Sequence, residues 1–270
     1  MYQDNNNLNT ILEDRSIKFG NEVYPSNGWA IFMAGGPAAS KSSTINNQLM
    51  LDGKVIDNDD ITAMYLKTLK KVLNAPGTSE EIKDEIINIF GDVTHLSPKN
   101  LAYSNVFRQK VADNKQFMSK IIGIYAKSNR LSLQNVIIDS TSSNIAVMIQ
   151  TALLFQSYGY KLGLVWVVAN INNAINRNME RNRTVDVDYL IDTHKKLLST
   201  LPKFFSNGTL WMFNEVWLIF SKNVSDFSMS FNEKYANTAI KLDKVDNNFI
   251  LPKKVHRRAI KLVDKEHLGE

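Results

Sequence analysis

The residues of this chain best suited to chemistry lie in one run, Gly35-Gly36-Pro37-Ala38-Ala39-Ser40-Lys41-Ser42. It follows the phosphate-binding pattern G-x-x-x-x-G-K-[ST], with Gly35 first, Lys41 and Ser42 last, and Ser40 in place of the second glycine. A triphosphate is dense in negative charge. A tight loop answers it with successive backbone N–H groups and the positive end of the following helix. Small residues let the backbone approach the phosphate oxygens. Gly35, Gly36, Ala38, Ala39, Ser40 and Ser43 therefore join Lys41 and Ser42 as expected contacts to ATP or GTP. Lys41 is expected at the β- and γ-phosphates and the Ser42 hydroxyl on Mg²⁺. Ser40 must then adopt a conformation that glycine takes more cheaply. A Gly-Pro turn before an ordinary helix with a surface lysine would use the same residue types.

Two acidic groups end apolar runs. Asp57-Asn58-Asp59-Asp60 follows Lys54-Val55-Ile56, and Asp139 follows Val136-Ile137-Ile138, with Thr141 close behind. The carboxyl ends of parallel strands are where open sheets bind ligands. Aspartates there also cap the helices that follow. A strand-end aspartate beside a phosphate loop is the type that steers Mg²⁺. Arg177, Arg181 and Arg183 form a basic cluster, with Arg177 and Arg181 one turn apart if 172–182 is helical. Guanidinium forks match phosphate oxygens, which suits a lid closing over a transferred group, although a solvated basic face has the same composition. His95 stands alone and reads as a loop or core residue.

Elements must position these groups. Trp29 to Ala34 is wholly apolar and reads as a buried strand running into the loop. Further strands are expected at 54–56, 135–141, 160–169 and 213–220. Helices are expected at 9–18, 42–51, 61–73, 79–90, 101–130 (one or two), 143–158, 172–182 and 188–198. Alternating strands and helices predict a three-layer α/β domain. Its sheet would have five parallel strands, the first and third adjacent, with a helical arginine lid. The chain divides into an N-terminal extension over 1–28, this domain over 29–221, and a basic extension over 222–270. In the last, Lys253, Lys254, His256, Arg257, Arg258 and Lys261 alternate with apolar residues. Such a stretch suits a polyanion or a solvent-facing helix.

Composition limits the classes. The chain has 270 residues and a globular balance of apolar and charged types. It has no cysteine, which rules out disulfides, thiolate metal sites and a cysteine nucleophile. Lys and Arg number 32 against 27 Asp and Glu, a mild excess that permits a polyanionic partner. Met1 to Asn9 is polar and unlike a signal sequence, and no apolar run reaches the roughly 18 residues that span a bilayer. A cytoplasmic protein without membrane contact is the expectation.

In order and spacing, four segments resemble the phage-type polynucleotide 5′-kinases and the related zeta-toxin kinases, both phosphate-loop kinases. They are the loop at 35–42, Asp57-Asn58-Asp59-Asp60, the stretch from Val136 to Asn144, and the stretch from Tyr158 through Arg177, Arg181, Arg183 and Val185. The likeness covers roughly 29–201. It implies a P-loop NTPase fold and transfer of the γ-phosphate to a hydroxyl. Asp59 would be the general base, Lys41 and Arg181 would stabilise the transferred group, and Arg177 and Arg183 would assist. Asp60, Asp139 and Thr141 would line the acceptor side, and Ser42 and Asp139 the metal side. A carboxylate base is ionised at neutral pH without help, while metal and lysine carry the charge at phosphorus. The chain departs from both families at Ser40 and at Thr62, where they carry an arginine that grips the acceptor. It also lacks the His-Pro pair that follows the catalytic aspartate in zeta toxins. The missing pair, and an Asp139-Ser140-Thr141 stretch closer to the polynucleotide kinases, favour a polynucleotide 5′-hydroxyl or nucleotide acceptor over a UDP-sugar. Ser40 and Thr62 also leave room for a nucleotide-binding module that has lost transfer.

Overall fold

A computed structural model describes residues 16–19, 22–25, 27–45, 52–96, 107, 133–142, 144–181, 184–221 and 239–264. The chain divides into two compact units, one of Met1–Val55 with Ser128–Glu270, the other of Ile56–Lys127.

The first unit is built on strand β3 (Trp29–Ala34), preceded by a hairpin of β1 (Ser16–Phe19) and β2 (Glu22–Pro25). All six β3 residues are buried, as a strand covered on both faces requires. Beside it lie β5 (Val136–Asp139) and β6 (Lys161–Ala169), both parallel to it. The first and third strands of the expected set are therefore neighbours. With β4 (Lys54–Asp57), β7 (Glu215–Ser221) and β8 (Ala239–Lys241), the sheet order is β4-β5-β3-β6-β7-β8. The expected five parallel strands gain a sixth, because β8 turns back antiparallel against β7 and covers its edge. After it, β9 (Asp243–Val245) and β10 (Asn248–Ile250) form a separate hairpin.

Side-chain alternation fills both sides of the sheet. On one, Ile31, Met33, Ile137, Val165, Val167 and Ile219 pack in a common core with Ile171, Ala174 and Leu190 from two following helices. On the other, Phe32 meets Phe155 and Phe213 edge-on, with centroids 6.2 and 5.6 Å apart. Trp166 is buried against Phe205 and belongs to the core, as its place in an apolar strand suggests.

Short helix α1 (Lys41–Ser43) opens after the loop; the remainder of the expected 42–51 helix lies largely outside the described residues. In the second unit α2 (Asn58–Leu73) starts directly from β4, so Asp59 and Asp60 fall in its first turn. Ser79 caps α3 (Glu80–Phe90) by accepting the Ile82 N–H, and Tyr65, Phe90 and Phe107 make an aromatic core there with Leu66 and Leu69. Apart from Phe107, the helices expected over 101–130 lie outside the described residues. Back in the first unit come α4 (Ile145–Ser157), α5 (Ile171–Met179), α6 (Val187–Ser206) and α7 (Lys253–Val263). Asn144, Asn170 and Asp186 cap the first three.

Three sequence expectations change. Ser16–Phe19 is a strand, not the end of a helix over 9–18, because Ile17 and Phe19 alternate with polar neighbours and find a partner strand in 22–25. Helix α5 ends at Met179, which leaves Arg181 beyond its last turn and off the helical face shared with Arg177. Helix α6 runs on to Ser206 and takes Pro202 within it. No helix among the described residues is long and apolar enough to cross a membrane.

One side chain ties the strand starts together. Asn135 accepts the Trp29 N–H at 3.1 Å, donates to the Asp52 carbonyl at 3.2 Å, and offers its own carbonyl to the Lys54 N–H at 2.8 Å. Asn135→Ala keeps the last contact and strands the buried Trp29 N–H. It should lower stability by about 2 kcal/mol, read as a fall in denaturation midpoint at unchanged slope; an unchanged midpoint would mean that water replaces the side chain at no cost.

Candidate nucleotide site

The loop between β3 and α1 is built by its backbone. Ala38 (φ 56°) and Ser40 (φ 68°, ψ 33°) are left-handed, while Ala39 between them is not. Alternation of this kind turns successive N–H groups toward one point, the geometry of an anion nest. The Ala39 N–H donates to the Gly36 carbonyl and the Thr44 N–H to the Ser40 carbonyl, which closes the turn into α1. Ser40 therefore occupies the position and the conformation of the missing glycine, at a steric cost of about 1 kcal/mol.

Strand β5 brings the carboxylate. Asp139 pairs in register with Met33, two residues before the loop. Its Oδ1 lies 3.8 Å from Lys41 Nζ, and its Oδ2 accepts from Ser42 Oγ at 3.4 Å. Lys41 Nζ also donates to the carbonyls of Gly35 (3.2 Å) and Gly36 (3.5 Å). The Thr141 carbonyl accepts the Gly35 N–H at 3.3 Å, and Ser142 Oγ donates to the Met33 carbonyl at 3.0 Å. The β5 end thus fastens the loop by backbone and side chain together.

The electrostatics favour an anion. Burial pushes the Lys41 ammonium below the ordinary lysine range; Asp139 pulls it up and the Arg181 charge pushes it down again. Arg177 is likewise lowered by burial and then by Arg181, with Glu180 opposing. Lys41 and Arg177 therefore each carry a desolvation cost and feel the charge of Arg181, and an anion placed beside them would relieve part of that cost.

The sequence-expected residues divide as follows. Gly35, Gly36, Ala38, Ala39, Ser40, Lys41, Ser42, Asp139 and Thr141 come together around the loop. Arg181 acts on Lys41 through its charge. Arg177 reaches the loop from below, its Nε donating to the Ala38 carbonyl at 2.9 Å and its Nη1 to Ser221 Oγ at 3.4 Å. Ser43 is exposed on α1. Asp59 and Asp60 lie in the Ile56–Lys127 unit at the start of α2. Arg183 lies outside the described residues. Thr62 is buried in α2. His95 is exposed, 4.0 Å from Asp92, in keeping with a loop residue.

Two residues escaped sequence reading. His194, on α6, stacks its ring so close to Gly36 that a Cβ there would sit 2.2 Å from the ring Cδ2; its Nε2 lies 3.0 Å from the Pro37 carbonyl. A carbonyl can only accept, so Nε2 carries the proton. Asn178 staples the turn between α5 and α6, donating to the Val185 carbonyl at 2.7 Å and accepting the Val185 N–H at 3.0 Å. A lone histidine on a helix gives no local pattern; only the second glycine, Gly36, hinted that something presses on the loop.

No known protein family matches the sequence, and no curated protein does. Several solved structures align with the chain, two of which illustrate the degree of likeness. One is the AvrRxo1-ORF1:-ORF2 structure with ATP, at 11% identity, TM-score 0.48, over 89% of this chain and 65% of that one. The other, from the PezAT chromosomal toxin-antitoxin system of Streptococcus pneumoniae, shows 14% identity and TM-score 0.44 over 98% of this chain and 94% of that one. The chain spans just under two thirds of the first structure's length. Likenesses of this degree concern the chain path at most, and the functional reading rests on the side chains.

The loop yields two stability predictions. Ser40→Gly relieves the left-handed strain and should raise the denaturation midpoint by about 1 kcal/mol equivalent, less the extra unfolded-state freedom of glycine; a lower midpoint would show that the Ser40 side chain contributes more than its conformation costs. Burial pushes His194 down from 6.5 to about 4; the Pro37 hydrogen bond opposes this, and the charges of Lys41 and Arg177 add to it. Between those values the unfolded chain binds a proton that the folded chain refuses, so stability held above pH 6.5 is lost on acidification and levels off below about 4. His194→Gln should flatten that window by up to about 3 kcal/mol. Equal acid sensitivity in both proteins would remove His194 as the cause.

Proposed function

We propose that this chain is a phosphotransferase that moves the γ-phosphate of ATP or GTP to a hydroxyl. The supporting observation is the Lys41 ammonium, buried within a nest-shaped loop and short of negative charge, with Ser42 and Asp139 beside it. A nucleotide's phosphates supply what that arrangement lacks.

Mg²⁺ fits the donor set. A hydroxyl and a carboxylate, Ser42 and Asp139, are hard oxygen ligands of the kind that hold Mg²⁺ jointly with substrate phosphates. No cluster of three or more acidic, histidine or cysteine residues suited to a metal exists among the described residues. When bound, the ion would neutralise charge on the phosphates. Lys41 would leave the Gly35 and Gly36 carbonyls for phosphate oxygens, and Arg181 would balance charge on the transferred group.

Asp59 is the proposed general base, on the strength of its place in the Asp57-Asn58-Asp59-Asp60 element. Asp60, Asp139 and Thr141 would meet the acceptor. The favoured acceptor is a polynucleotide 5′-hydroxyl or a nucleotide, since the Asp139-Ser140-Thr141 stretch resembles the polynucleotide kinases. A second reading, a nucleotide-binding module without transfer, draws on the strained Ser40 and on the buried Thr62 where an acceptor-gripping arginine would stand.

The test uses labelled ATP, Mg²⁺ and 5′-hydroxyl oligonucleotides of several lengths. Transfer is expected, with Lys41→Ala and Asp59→Ala each lowering it by at least about a hundredfold. Only Lys41→Ala should greatly weaken ATP binding by calorimetry. Equal loss of binding in both variants would show Asp59 misassigned. Tight binding with no transfer to nucleic acid, nucleotide, sugar nucleotide or water would favour the module.

A further inference from the structure

Four consecutive loop carbonyls, Gly35 to Ala38, are each held by a donor. Lys41 Nζ takes those of Gly35 and Gly36, and the Ala39 N–H shares the second. The other two are taken from outside the loop. His194 Nε2 donates to Pro37 at 3.0 Å, and Arg177 Nε donates to Ala38 at 2.9 Å. These latter two donors come from different helices, α6 and α5.

A peptide unit has its carbonyl and its N–H on opposite sides. Fixing one fixes the other. Holding the Pro37 carbonyl on the helix side therefore directs the Ala38 N–H of the same peptide unit the opposite way, and holding the Ala38 carbonyl keeps the Ala39 N–H on the Gly36 carbonyl, which closes the turn. The left-handed residues Ala38 and Ser40 need such support, because each sits in a conformation that costs about 1 kcal/mol or more without it. Gly36 is required for the same reason. Its missing Cβ is the space in which the His194 ring lies.

We propose that His194 and Arg177 are positioning residues for nucleotide binding: they anchor the Pro37 and Ala38 carbonyls so that the loop keeps its amides aimed at the phosphates, and Arg177 does this in place of clamping the γ-phosphate. The inference rests on the phosphate-binding reading of the loop. It departs from the sequence expectation for Arg177, whose guanidinium is engaged beneath the loop and at Ser221 Oγ. Its Nη2 is buried without a partner among the described residues, which marks a side chain packed into the protein and not extended to solvent. His194 stays neutral in ordinary buffers, so its donor at Nε2 persists there.

Positioning and clamping predict different nucleotide dependence. A loop that loses its shape loses contact with every phosphate it wraps, so ATP and ADP suffer alike. A γ-phosphate clamp, once removed, weakens ATP and spares ADP. The test is calorimetric titration of ATP and ADP into the full chain, with denaturation curves recorded for every variant. His194→Leu and Arg177→Met should each weaken both nucleotides by about tenfold, the worth of one hydrogen bond to a buried acceptor, with the ATP-to-ADP affinity ratio kept within about threefold. His194→Gln, which retains an N–H donor, should bind within about threefold of the unaltered protein.

Unchanged affinities in folded His194→Leu and Arg177→Met, beside a Lys41→Ala that binds poorly, would overturn the positioning role and leave the phosphate site standing. Selective loss of ATP in Arg177→Met would overturn it for Arg177 and restore the clamp. Absence of binding by the unaltered protein would overturn both this inference and the reading beneath it. If His194→Leu fails to fold, Arg177→Met and His194→Gln carry the comparison: a Gln variant as weak as Arg177→Met would contradict the donor's role.

Discussion

Everything at this site depends on how a short stretch of backbone is held against its own preferences. Residues 35–40 contain two left-handed alanine or serine conformations that an isolated peptide would abandon. They persist because Lys41, His194 and Arg177 bind the loop's carbonyls and because Thr141 accepts the Gly35 N–H. Strain at a loop tip and its compensation by buried donors is a common arrangement where a backbone must meet an anion. Here the compensation comes from three different elements, α1, α5 and α6, so the loop's shape depends on how those helices pack.

The same donors explain the charge balance. Lys41 and Arg177 are both pushed toward their neutral forms by burial, and Arg181 adds to the pressure on each. Carbonyl dipoles offset part of that cost, and Asp139 offsets more at Lys41. Lys41 nonetheless stays below its ordinary range beside a hydroxyl and a carboxylate. On the proposed reading, phosphates would offset that cost better than a second carboxylate would, because they bring several acceptor oxygens at once.

Much of this was legible from residue order. The apolar run into Gly35, the Lys41-Ser42 pair and the strand-end Asp139 announced both the β3-loop-α1 unit and the neighbour strand β5, since parallel strands put their carboxyl ends on one edge. Ser40 could be read as a glycine substitute, and its φ bears that out. Three features were not legible. The sixth strand, β8, is three residues long and lies beyond the α/β alternation, so no local period marks it. Arg177 and Arg181 were expected on one helical face, but α5 stops at Met179, where the Asn178 side chain captures Val185 and turns the chain out. His194 contacts the loop from a separation of 157 residues, a relation that only tertiary packing creates.

The most direct measurement is a crystal structure with a non-hydrolysable ATP analogue and Mg²⁺. The β- and γ-phosphates should lie within hydrogen-bonding distance of the loop amides, with Lys41 Nζ moved from the Gly35 and Gly36 carbonyls onto phosphate oxygens while His194 and Arg177 remain on Pro37 and Ala38. A nucleotide bound elsewhere, or phosphates at the loop with Lys41 still on those two carbonyls, would refute the assignment of this loop as the phosphate cradle.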